Sequence, residues 1–524
     1  MIIPFIDPQF NFQSVINPNV QHQLVKSFFD LDISRYNQSL KTKSQRYWIS
    51  HGQKKALHLF YQAARYVPAY KDFLKKHQIN PLRIKTYHDF QYVPVTDKPN
   101  YILKYPLEQL TWHGRLDTAN IVSFSSGSTG IPFLWPRGTY QDFEGAFQFE
   151  HLLTYLFQID KLSTLLVDCF SMGNYVAGTY VFNSTKLIAQ KGYPLTVITP
   201  GLQYQDAINM LRRLRGKYEQ IILCGYPPFL RNIIDIANEQ HLNLAKLKLR
   251  FFFASEFFSE TWRNHTLSLT GKRNPLIDST NIYGTADSAI FSFETPLTIL
   301  IRKLTESYPN LGLALYHSRL IPTLTQYNPV LTHYESINNH LILTSASGIP
   351  LIRYDLKDNG NILTSTQIRK IFSQQGVDLF KAASQAGISH TLHNLPFVYL
   401  TNRTDNAVSF YAILIFPEYV RGGIEHPLLK SRLSGRFTLV SENDSNQEPV
   451  LSIHVELNPG KKITPTLEYL VLKQVTQSLR EKCSEYSFLE KAVNNRAKPK
   501  IILHHSRQSK YFKIGVKQKW IQKN

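Results

Sequence analysis

Apolar side chains recur at helical spacing in the first part of the chain. In residues 43–75 they lie along one side of a helix, and the pattern breaks at Val67 and Pro68. Proline disfavours helical backbone in the residue before it. We therefore predict a mainly helical region up to about residue 110, with a helix that breaks at Val67. The apolar positions are Leu57, Phe60, Tyr61, Ala64 and Tyr66.

From about residue 120 to residue 350 the pattern alternates. Short runs rich in β-branched and aromatic residues are separated by stretches of helical periodicity, such as residues 204–218 and 229–240. This alternation predicts a layered α/β domain with a largely parallel sheet, because parallel strands need crossover connections. The strand-like runs are IVSF, TLLVDCF, LTVITP, QIILCG, LRFFFAS and STNIYG.

Beyond residue 340 the chain becomes richer in strand-like runs, with a helical stretch at residues 363–390. The final segment has its own runs, RFTLVSE and VLSIHVEL, and a helical stretch at residues 467–485. The pattern changes between Asn402 and Asp405. We therefore predict a large N-terminal domain of residues 1–402 and a small C-terminal domain of residues 403–524.

Composition indicates a globular protein with a basic surface. The 524 residues are 43% hydrophobic, which is enough to bury more than one core. The 59 Lys and Arg outweigh the 38 Asp and Glu, giving a net charge of +21. Such a balance is compatible with nucleic acid, an anionic membrane surface or a polyanionic small substrate. Because the charge is spread along the chain, a solvated surface also explains most of it.

Cysteine usage and targeting signals suggest a cytoplasmic location. Cys169, Cys224 and Cys483 form no C-x-x-C pair, so neither a zinc knuckle nor a disulfide framework is indicated. Cysteines inside apolar runs suit a reducing compartment. The N-terminus lacks the pattern of a signal peptide, and no stretch approaches the roughly 18 apolar residues of a membrane span.

The first candidate for chemistry is a serine- and glycine-rich stretch directly after the run IVSF. Glycine lets a backbone approach phosphate closely, and the hydroxyls add donors, although a flexible loop has the same composition. It is not a P-loop, because the required lysine and following hydroxyl are missing. The stretch contains Ser125, Ser126, Gly127, Ser128, Thr129 and Gly130.

Two later stretches carry carboxylates near glycine or a turn. The first, NIYGTAD, ends in Asp287 and offers a flat aromatic face for a purine at Tyr283. A carboxylate beside a phosphate loop can hold Mg²⁺. In the second, IPLIRYDLKD, Asp355 and Asp358 flank a turn, where a carboxylate can accept hydrogen bonds from ribose hydroxyls. Each motif alone also fits an ordinary strand end or solvated turn.

Two further stretches lie at the predicted boundary and in the tail. Residues 402–405 read NRTD at the point where the pattern changes. Residues 511–520 read YFKIGVKQKW, which is too apolar for a disordered tail. This segment holds Lys513 and Lys517, and Lys510 precedes it; a basic solvated tail is the simpler alternative.

The order and spacing of these five stretches resemble the adenylate-forming superfamily of acyl-CoA synthetases, peptide-synthetase adenylation domains and luciferases. Within it the chain looks like the phenylacetate–CoA ligase and coenzyme F390 synthetase branch. Residues 66–98, YVPAYKDFLKKHQINPLRIKTYHDFQYVPVTDK, are similar to the segment that precedes the phosphate loop in that branch. The resemblance spans nearly the whole chain and depends on the ordered set of motifs.

The resemblance implies a fold and a reaction. The fold is a large layered α/β domain of the adenylate-forming type, followed by a small mobile α+β domain. The reaction is an acid–thiol ligation in which a carboxylic acid is activated with ATP and Mg²⁺ as acyl-AMP, and pyrophosphate is released. The acyl group then passes to a thiol, which is CoA by family default.

The resemblance also implies roles for the nucleotide-side residues. The stretch from Ser125 to Gly130 wraps the ATP phosphates. Tyr283, with Gly284 beside it, stacks on adenine, and Asp287 takes the place of the Mg²⁺-binding glutamate.

Five more roles follow from the second half of the pattern. Asp358 holds the ribose, and Arg353 lies near the nucleotide. Arg403 stands at the nucleotide end of the hinge, and Asp405 is the pivot of the small domain. Lys517 bridges the substrate carboxylate and the α-phosphate, because residues 515–520 best match the glycine–lysine–aromatic ending of the branch.

The sequence departs from the family pattern at several positions. Asn402 and Ala412 stand where relatives usually have glycine, and the methyl of Ala412 could narrow the thiol channel. CoA as acceptor is therefore in doubt. We also expect Asp168, Ser171 and Tyr175, which follow a strand, to line the acyl pocket.

Two alternative functions stay open. The acyl group could go to a carrier-protein thiol or an amine, with adenylation unchanged. A degenerate ligase scaffold could instead bind nucleic acid or an anionic surface, although the chain lacks an aromatic–basic binding module. A small carboxylic acid and an acceptor thiol are the expected partners, and the sequence leaves open a dimer.

Overall fold

The computed structural model describes residues 3–124, 133–255, 258–271, 273–317, 321–403, 407–429, 431–506, 508–512 and 520–522. Its first part is helical, as the apolar spacing predicts. The helices are α1 (Pro18–Phe29), α2 (Ile33–Thr42), α3 (Gln45–Tyr66), α4 (Pro68–Lys76) and α5 (Tyr87–Phe90).

The predicted break at Val67 is confirmed. Val67 has extended backbone, with φ −107° and ψ 111°, and it separates α3 from α4. Pro68 takes the first position of α4, where its missing N–H costs nothing. Leu59, Phe60 and Ala63 of α3 are buried in the main core.

A short antiparallel hairpin, β1 (Ile121–Phe124) and β2 (Leu134–Arg137), stands apart from the main sheet. In the described part of the chain the main sheet has eleven strands in the order β10-β11-β12-β13-β9-β8-β7-β6-β5-β3-β4. The strands are β3 (Thr164–Asp168), β4 (Leu195–Ile198), β5 (Gln220–Gly225), β6 (Leu249–Ala254), β7 (Ser279–Thr285), β8 (Ala289–Phe293), β9 (Thr323–Gln326), β10 (His333–Ile337), β11 (His340–Ser345), β12 (Leu351–Leu363) and β13 (Phe397–Arg403).

The sheet is mixed, so the expectation of a largely parallel sheet is wrong for half of it. Strands β3 to β7 run parallel, and every pair from β7 to β10 along the sheet order is antiparallel. Helical crossovers separate β3 to β7, whereas short turns join β7 to β8 and β10 through β12, and a short turn permits only antiparallel pairing. The helices among these strands are α6 (Thr139–Phe157), α7 (Val176–Gln190), α8 (Tyr204–Arg213), α9 (Pro227–Glu239), α10 (Glu260–Ser268), α11 (Pro296–Ser307), α12 (Pro309–Tyr316), α13 (Ser365–Gln374) and α14 (Leu379–Gln385).

The two halves of the sheet meet at a narrow seam between β8 and β9. The register of this pair consists of Phe293 opposite Gln326, whereas the parallel strands β3 and β5 pair over five positions. Because so few backbone bonds cross this junction, the antiparallel half of the sheet can take a different direction from the parallel half.

The C-terminal segment is α+β, as the resemblance implies. A small hairpin of β14 and β15 precedes a sheet in the order β18-β17-β16-β19, whose described strands include both runs predicted from sequence. Their bounds, with those of the helices, are β14 (Val408–Phe410), β15 (Ile413–Ile415), α15 (Pro417–Ile424), β16 (Leu433–Asn443), β17 (Pro449–Leu457), α16 (Pro465–Lys482), α17 (Ser484–Val493), β18 (Lys500–His504) and β19 (Ile521–Gln522).

Two large apolar cores hold these layers together. One lies between α3, α6 and one face of the sheet and includes Phe60, Phe147 and Tyr354. The other continues from the opposite face, through Leu223 and Phe253, into the C-terminal segment. Among the described helices, none has the length and apolar character needed to cross a bilayer.

A buried network of two arginines and two glutamates ties the central helices to β7. Arg263 donates to Glu260 (Nε–Oε2, 2.9 Å) and to Glu294 (Nη2–Oε2, 2.6 Å). Arg302 contacts the same two carboxylates through Nη1, at 2.6 and 2.7 Å. All four side chains are at most 1% exposed. The charges balance, which is the condition for burying them at tolerable cost.

We predict that Glu294→Gln lowers the free energy of unfolding by about 3–5 kcal/mol, because it leaves a buried arginine uncompensated. The measurement is the midpoint of urea denaturation. Glu490→Gln is the control: its partner Arg480 is 53% exposed, so about 1 kcal/mol or less should be lost. Equal losses in the two variants would contradict a structural role for the network.

Candidate functional site

The carboxyl end of β7 carries the aromatic–glycine motif found in the sequence. The strand runs through Tyr283 and Gly284 into a tight turn, with Thr285 opposite Ala289 of β8. A Cβ on Gly284 would lie 2.2 Å from the carbonyl oxygen of Ala289, so this position needs glycine. The turn places Ala286 and Asp287 at the open edge of the parallel strands, where α/β sheets bind ligands.

The structure brings Tyr283 and Asp358 into direct contact. The Tyr283 hydroxyl donates to Oδ2 of Asp358 at 2.7 Å, and both side chains are buried. In the β12–β13 ladder, Asp358 lies opposite Arg403, whose side chain is outside the described part of the chain. Two residues predicted to bind the nucleotide, Tyr283 and Asp358, are therefore in contact, and the backbone of a third, Arg403, pairs with Asp358.

Asp287, in the turn after β7, lies in a partly cationic setting. Its Oδ1 is 3.7 Å from Nζ of Lys98, and its carboxylate is hydrogen-bonded to the hydroxyl of Tyr354. Burial, reinforced by the Asp287 charge, holds the pKa of Tyr354 well above its usual range. Tyr354 is thus a neutral donor to the carboxylate.

Lys98 is a site residue to which sequence reasoning assigned no role. The stretch that ends in Lys98 runs beside β12: the Thr96 N–H donates to Arg353 O at 3.0 Å, and the Asp355 N–H donates to Thr96 O at 2.8 Å. Because the segment is pinned there, Lys98 reaches Asp287 across the turn. The only signal in the sequence was the family-like ending of residues 66–98.

Arg353 shares β12 with Asp358, but its side chain is held elsewhere. Its guanidinium makes a two-pronged pair with Glu335, at 2.9 and 3.0 Å, and also donates to the carbonyl of Val93. Its backbone φ is +46°, in the left-handed region. The predicted place of Arg353 near the nucleotide stays a prediction, because these contacts do not lead to Tyr283 or Asp358.

An apolar pocket of about 140 Å³ opens next to Gly284, Thr285 and Ala286. From the segment after β3, Phe170 and Val176 line it. The expected acyl-pocket residues do not: Asp168 is buried with an N–H donor from Phe170, and burial raises the pKa of its carboxyl well above the usual range. The remaining lining residues are Phe149, Ala177, Tyr180, Val181, Phe252, Ala254, Ser255, Ile282, Ala289 and Ile290.

Ser171 and Tyr175 instead line a cavity of about 20 Å³ against the C-terminal segment. The Tyr175 hydroxyl lies 3.2 Å from Oγ of Ser484 at the start of α17. Tyr411, from the β14–β15 turn, lines the same cavity. The small cavity therefore joins the strand ends of the large sheet to the C-terminal hairpin.

The β14–β15 turn explains why glycine would suit position 412. Phe410 pairs directly with Ile413, so Tyr411 and Ala412 form a two-residue turn. Their φ values are 48° and 64°, a left-handed conformation that costs residues with a Cβ about 1–2 kcal/mol each. Burial raises the pKa of Tyr411, whose hydroxyl donates to Glu448 at 3.2 Å.

Several predicted site residues lie outside the described residues. These are the proposed hinge pivot Asp405, the tail lysines Lys513 and Lys517, and the whole phosphate loop. The loop residues are Ser125, Ser126, Gly127, Ser128, Thr129 and Gly130.

Comparison with solved structures identifies the fold. The chain is similar to 2-hydroxyisobutyryl-CoA ligase in complex with 2-HIB-AMP and CoA in the thioesterification state, with TM-score 0.64, 12% identity, and coverage of 93% of this chain and 92% of that one. For the same ligase in the postadenylation state with 2-HIB-AMP, the TM-score is 0.51 at 11% identity, with 93% and 92% covered. No family model and no curated protein matches the sequence. The predicted fold class, a layered α/β domain with a small α+β segment, is confirmed.

We predict that Ala412→Gly stabilises the protein by about 0.5–1 kcal/mol, because relief of left-handed strain exceeds the extra entropy that glycine gives the unfolded chain. The midpoint of urea denaturation should rise with no change in slope. Ala383→Gly, inside α14, is the control and should lose about 1 kcal/mol. A less stable Ala412→Gly protein would contradict the turn geometry.

Proposed function

We propose that this protein is an ATP-dependent ligase that activates a carboxylic acid as its acyl-AMP, releases pyrophosphate and passes the acyl group to a thiol. The observation that carries the proposal is the contact between Tyr283 and Asp358. Asp287 lies in the turn that follows the strand of Tyr283, and the apolar pocket opens beside that turn. The fold shared with a CoA ligase supports it.

In the proposed reaction an oxygen of the acid attacks the α-phosphorus of ATP. A carboxylate–phosphorus bond forms, and the bond to the pyrophosphate oxygen breaks. Tyr283 presents its ring to adenine, and the Asp358 carboxylate accepts from ribose hydroxyls. The apolar pocket holds the acyl group and keeps water from the mixed anhydride.

Asp287 fits a site for Mg²⁺ of the kind found in nucleotide enzymes. Mg²⁺ is commonly held by one or two carboxylates, with phosphates and water completing the shell. A single buried carboxylate at the open strand edge meets that requirement, and no cluster of three or more potential ligands occurs among the described residues. The bound ion would neutralise charge on the phosphates.

For the second step we propose transfer to CoA, with residues 403–524 as a mobile domain turning about Asp405. The higher TM-score to the ligase in its thioesterification state than in its postadenylation state, 0.64 against 0.51, supports an arrangement suited to transfer. Residues 66–98 support placement in the phenylacetate–CoA ligase-like branch. A carrier-protein thiol or an amine would need the same first step.

The direct test is ATP–pyrophosphate exchange with Mg²⁺ over a panel of phenylacetate, benzoate, butanoate and octanoate. Exchange should depend on the acid and disappear without Mg²⁺, because the attacking and leaving groups are both anionic. Mass spectrometry after addition of CoA should then detect the thioester. No exchange with a broadened set of acids would refute the proposal.

We predict that Lys517→Ala lowers the exchange rate by about 100- to 1,000-fold, the usual effect of removing one group that stabilises transition-state charge. Lys510→Ala is the matched control, since Lys510 lies in the same tail with its ammonium 5.1 Å from the Tyr511 ring centre. It should retain exchange close to wild type. The opposite pattern would assign the catalytic lysine to position 510.

A further inference from the structure

Arg137 differs from every other buried arginine in the described part of the chain. It is 1% exposed, and it lies at the end of β2. The other buried arginines all have carboxylate partners: Glu260 and Glu294 serve two, and Glu335 serves a third. The fourth, Arg231, pairs with Asp235. These arginines are Arg231, Arg263, Arg302 and Arg353.

The Arg137 guanidinium has one hydrogen bond, from Nη2 to the carbonyl oxygen of Ala286 at 2.6 Å. Its Nε and Nη1 are buried and have no hydrogen-bond partner among the described residues. Asp142 and Asp287 attract the guanidinium electrostatically but do not form an ion pair with it. Burial therefore lowers the pKa of Arg137, against the weaker pull of nearby charges.

Arg137 contacts two of the residues that line the apolar pocket. Ala286, which accepts its hydrogen bond, lines the pocket, and so does Tyr180, whose ring centre is 5.8 Å from the guanidinium carbon. Ala286 is also the neighbour of Asp287 in the turn after β7. The guanidinium is thus next to the turn that carries Asp287 and adjoins the pocket through Ala286 and Tyr180, without lining the pocket itself.

A buried charge without an ion-pair partner is costly, and proteins bury arginine against an anion. The pocket lining has no anion, since its residues are aromatic, aliphatic, glycine, serine or threonine. The Nε and Nη1 donors of Arg137, which have no hydrogen-bond partner among the described residues, therefore suit an anion that arrives with the ligand. Arginine suits a carboxylate, because its planar fork matches two oxygens.

We propose that Arg137 binds the carboxylate of the acid substrate, whose apolar and preferably aromatic acyl group fills the pocket lined by Phe149, Phe170 and Phe252. The inference depends on the proposed adenylation and adds its substrate class. Arg137 belongs to the hairpin of β1 and β2, within the proposed N-terminal domain, so it would stay beside the pocket in any movement of the proposed small domain. The phosphates of ATP would then be bound by other positively charged groups of the site.

The kinetic test is ATP–pyrophosphate exchange with each of the four acids named above. For the best acid, Arg137→Gln should raise KM for the acid about 10- to 100-fold, as expected for lost charge-assisted hydrogen bonds, and leave KM for ATP unchanged. Arg137→Lys should restore part of the loss. A rise in KM for ATP with an unchanged KM for the acid would assign Arg137 to phosphate and overturn the proposal.

A second measurement needs no turnover. Phenylacetate, benzoate, butanoate and octanoate should raise the melting temperature of the wild type, and their uncharged primary amides should not. Arg137→Gln should lose the shift and, without ligand, melt no lower than wild type, whereas a merely structural arginine would leave a less stable protein. Carboxylates that shift both proteins equally, or neither, would refute the role of Arg137.

The control is Arg250→Gln. Arg250 pairs with Asp278 at the opposite end of the parallel strands, so its loss should alter neither KM nor the acid-dependent shift.

The kinetic and the melting measurements together distinguish failure of the proposed reaction from failure of the proposed Arg137 site. If the wild type shows no exchange but its melting temperature rises with carboxylates and not with amides, the proposed reaction is wrong and the Arg137 site stands. If Arg137→Gln shows normal exchange, the proposed reaction stands and the role of Arg137 is wrong.

Discussion

The buried network of Arg263, Arg302, Glu260 and Glu294 is the constraint on which the site depends. Its four charges cancel inside the core, and Glu294 also accepts the backbone N–H of Asn281 at 3.0 Å. That bond fixes the first residue of the motif that leads to Tyr283 and Asp287. The buried ionic network therefore helps to fix the strand that carries Tyr283 and leads to Asp287.

Sequence pattern predicted the elements better than their arrangement. Helical spacing located the break at Val67, and the alternation of runs gave the parallel strands β3 to β7, because both signals are local. The antiparallel half was not predicted, because the sequence of a strand does not show whether it pairs in the parallel or the antiparallel direction. Tyr283 and Asp358 lie in strands separated by β8, β9 and β13. In a flat sheet four spacings of about 4.8 Å would keep them roughly 19 Å apart, yet their side chains touch.

The candidate site was predicted in part, and for different reasons at each residue. The ordered motifs pointed to Tyr283, Asp287 and Asp358 because each sits in a recognisable local stretch. Lys98 and Arg137 escaped notice because their meaning lies in what surrounds them. Nothing in a sequence shows that one arginine is paired with glutamate in the core while another, equally buried, has no ion-pair partner among the described residues.

The narrow seam at Phe293 and Gln326 has a consequence for how the two half-sheets are held together. With so little backbone pairing across it, their relative position depends largely on side-chain contacts such as that between Tyr283 and Asp358. A nucleotide that touches both residues would clasp the halves together. Ligand binding would then strengthen the junction that has the least backbone pairing in the main sheet.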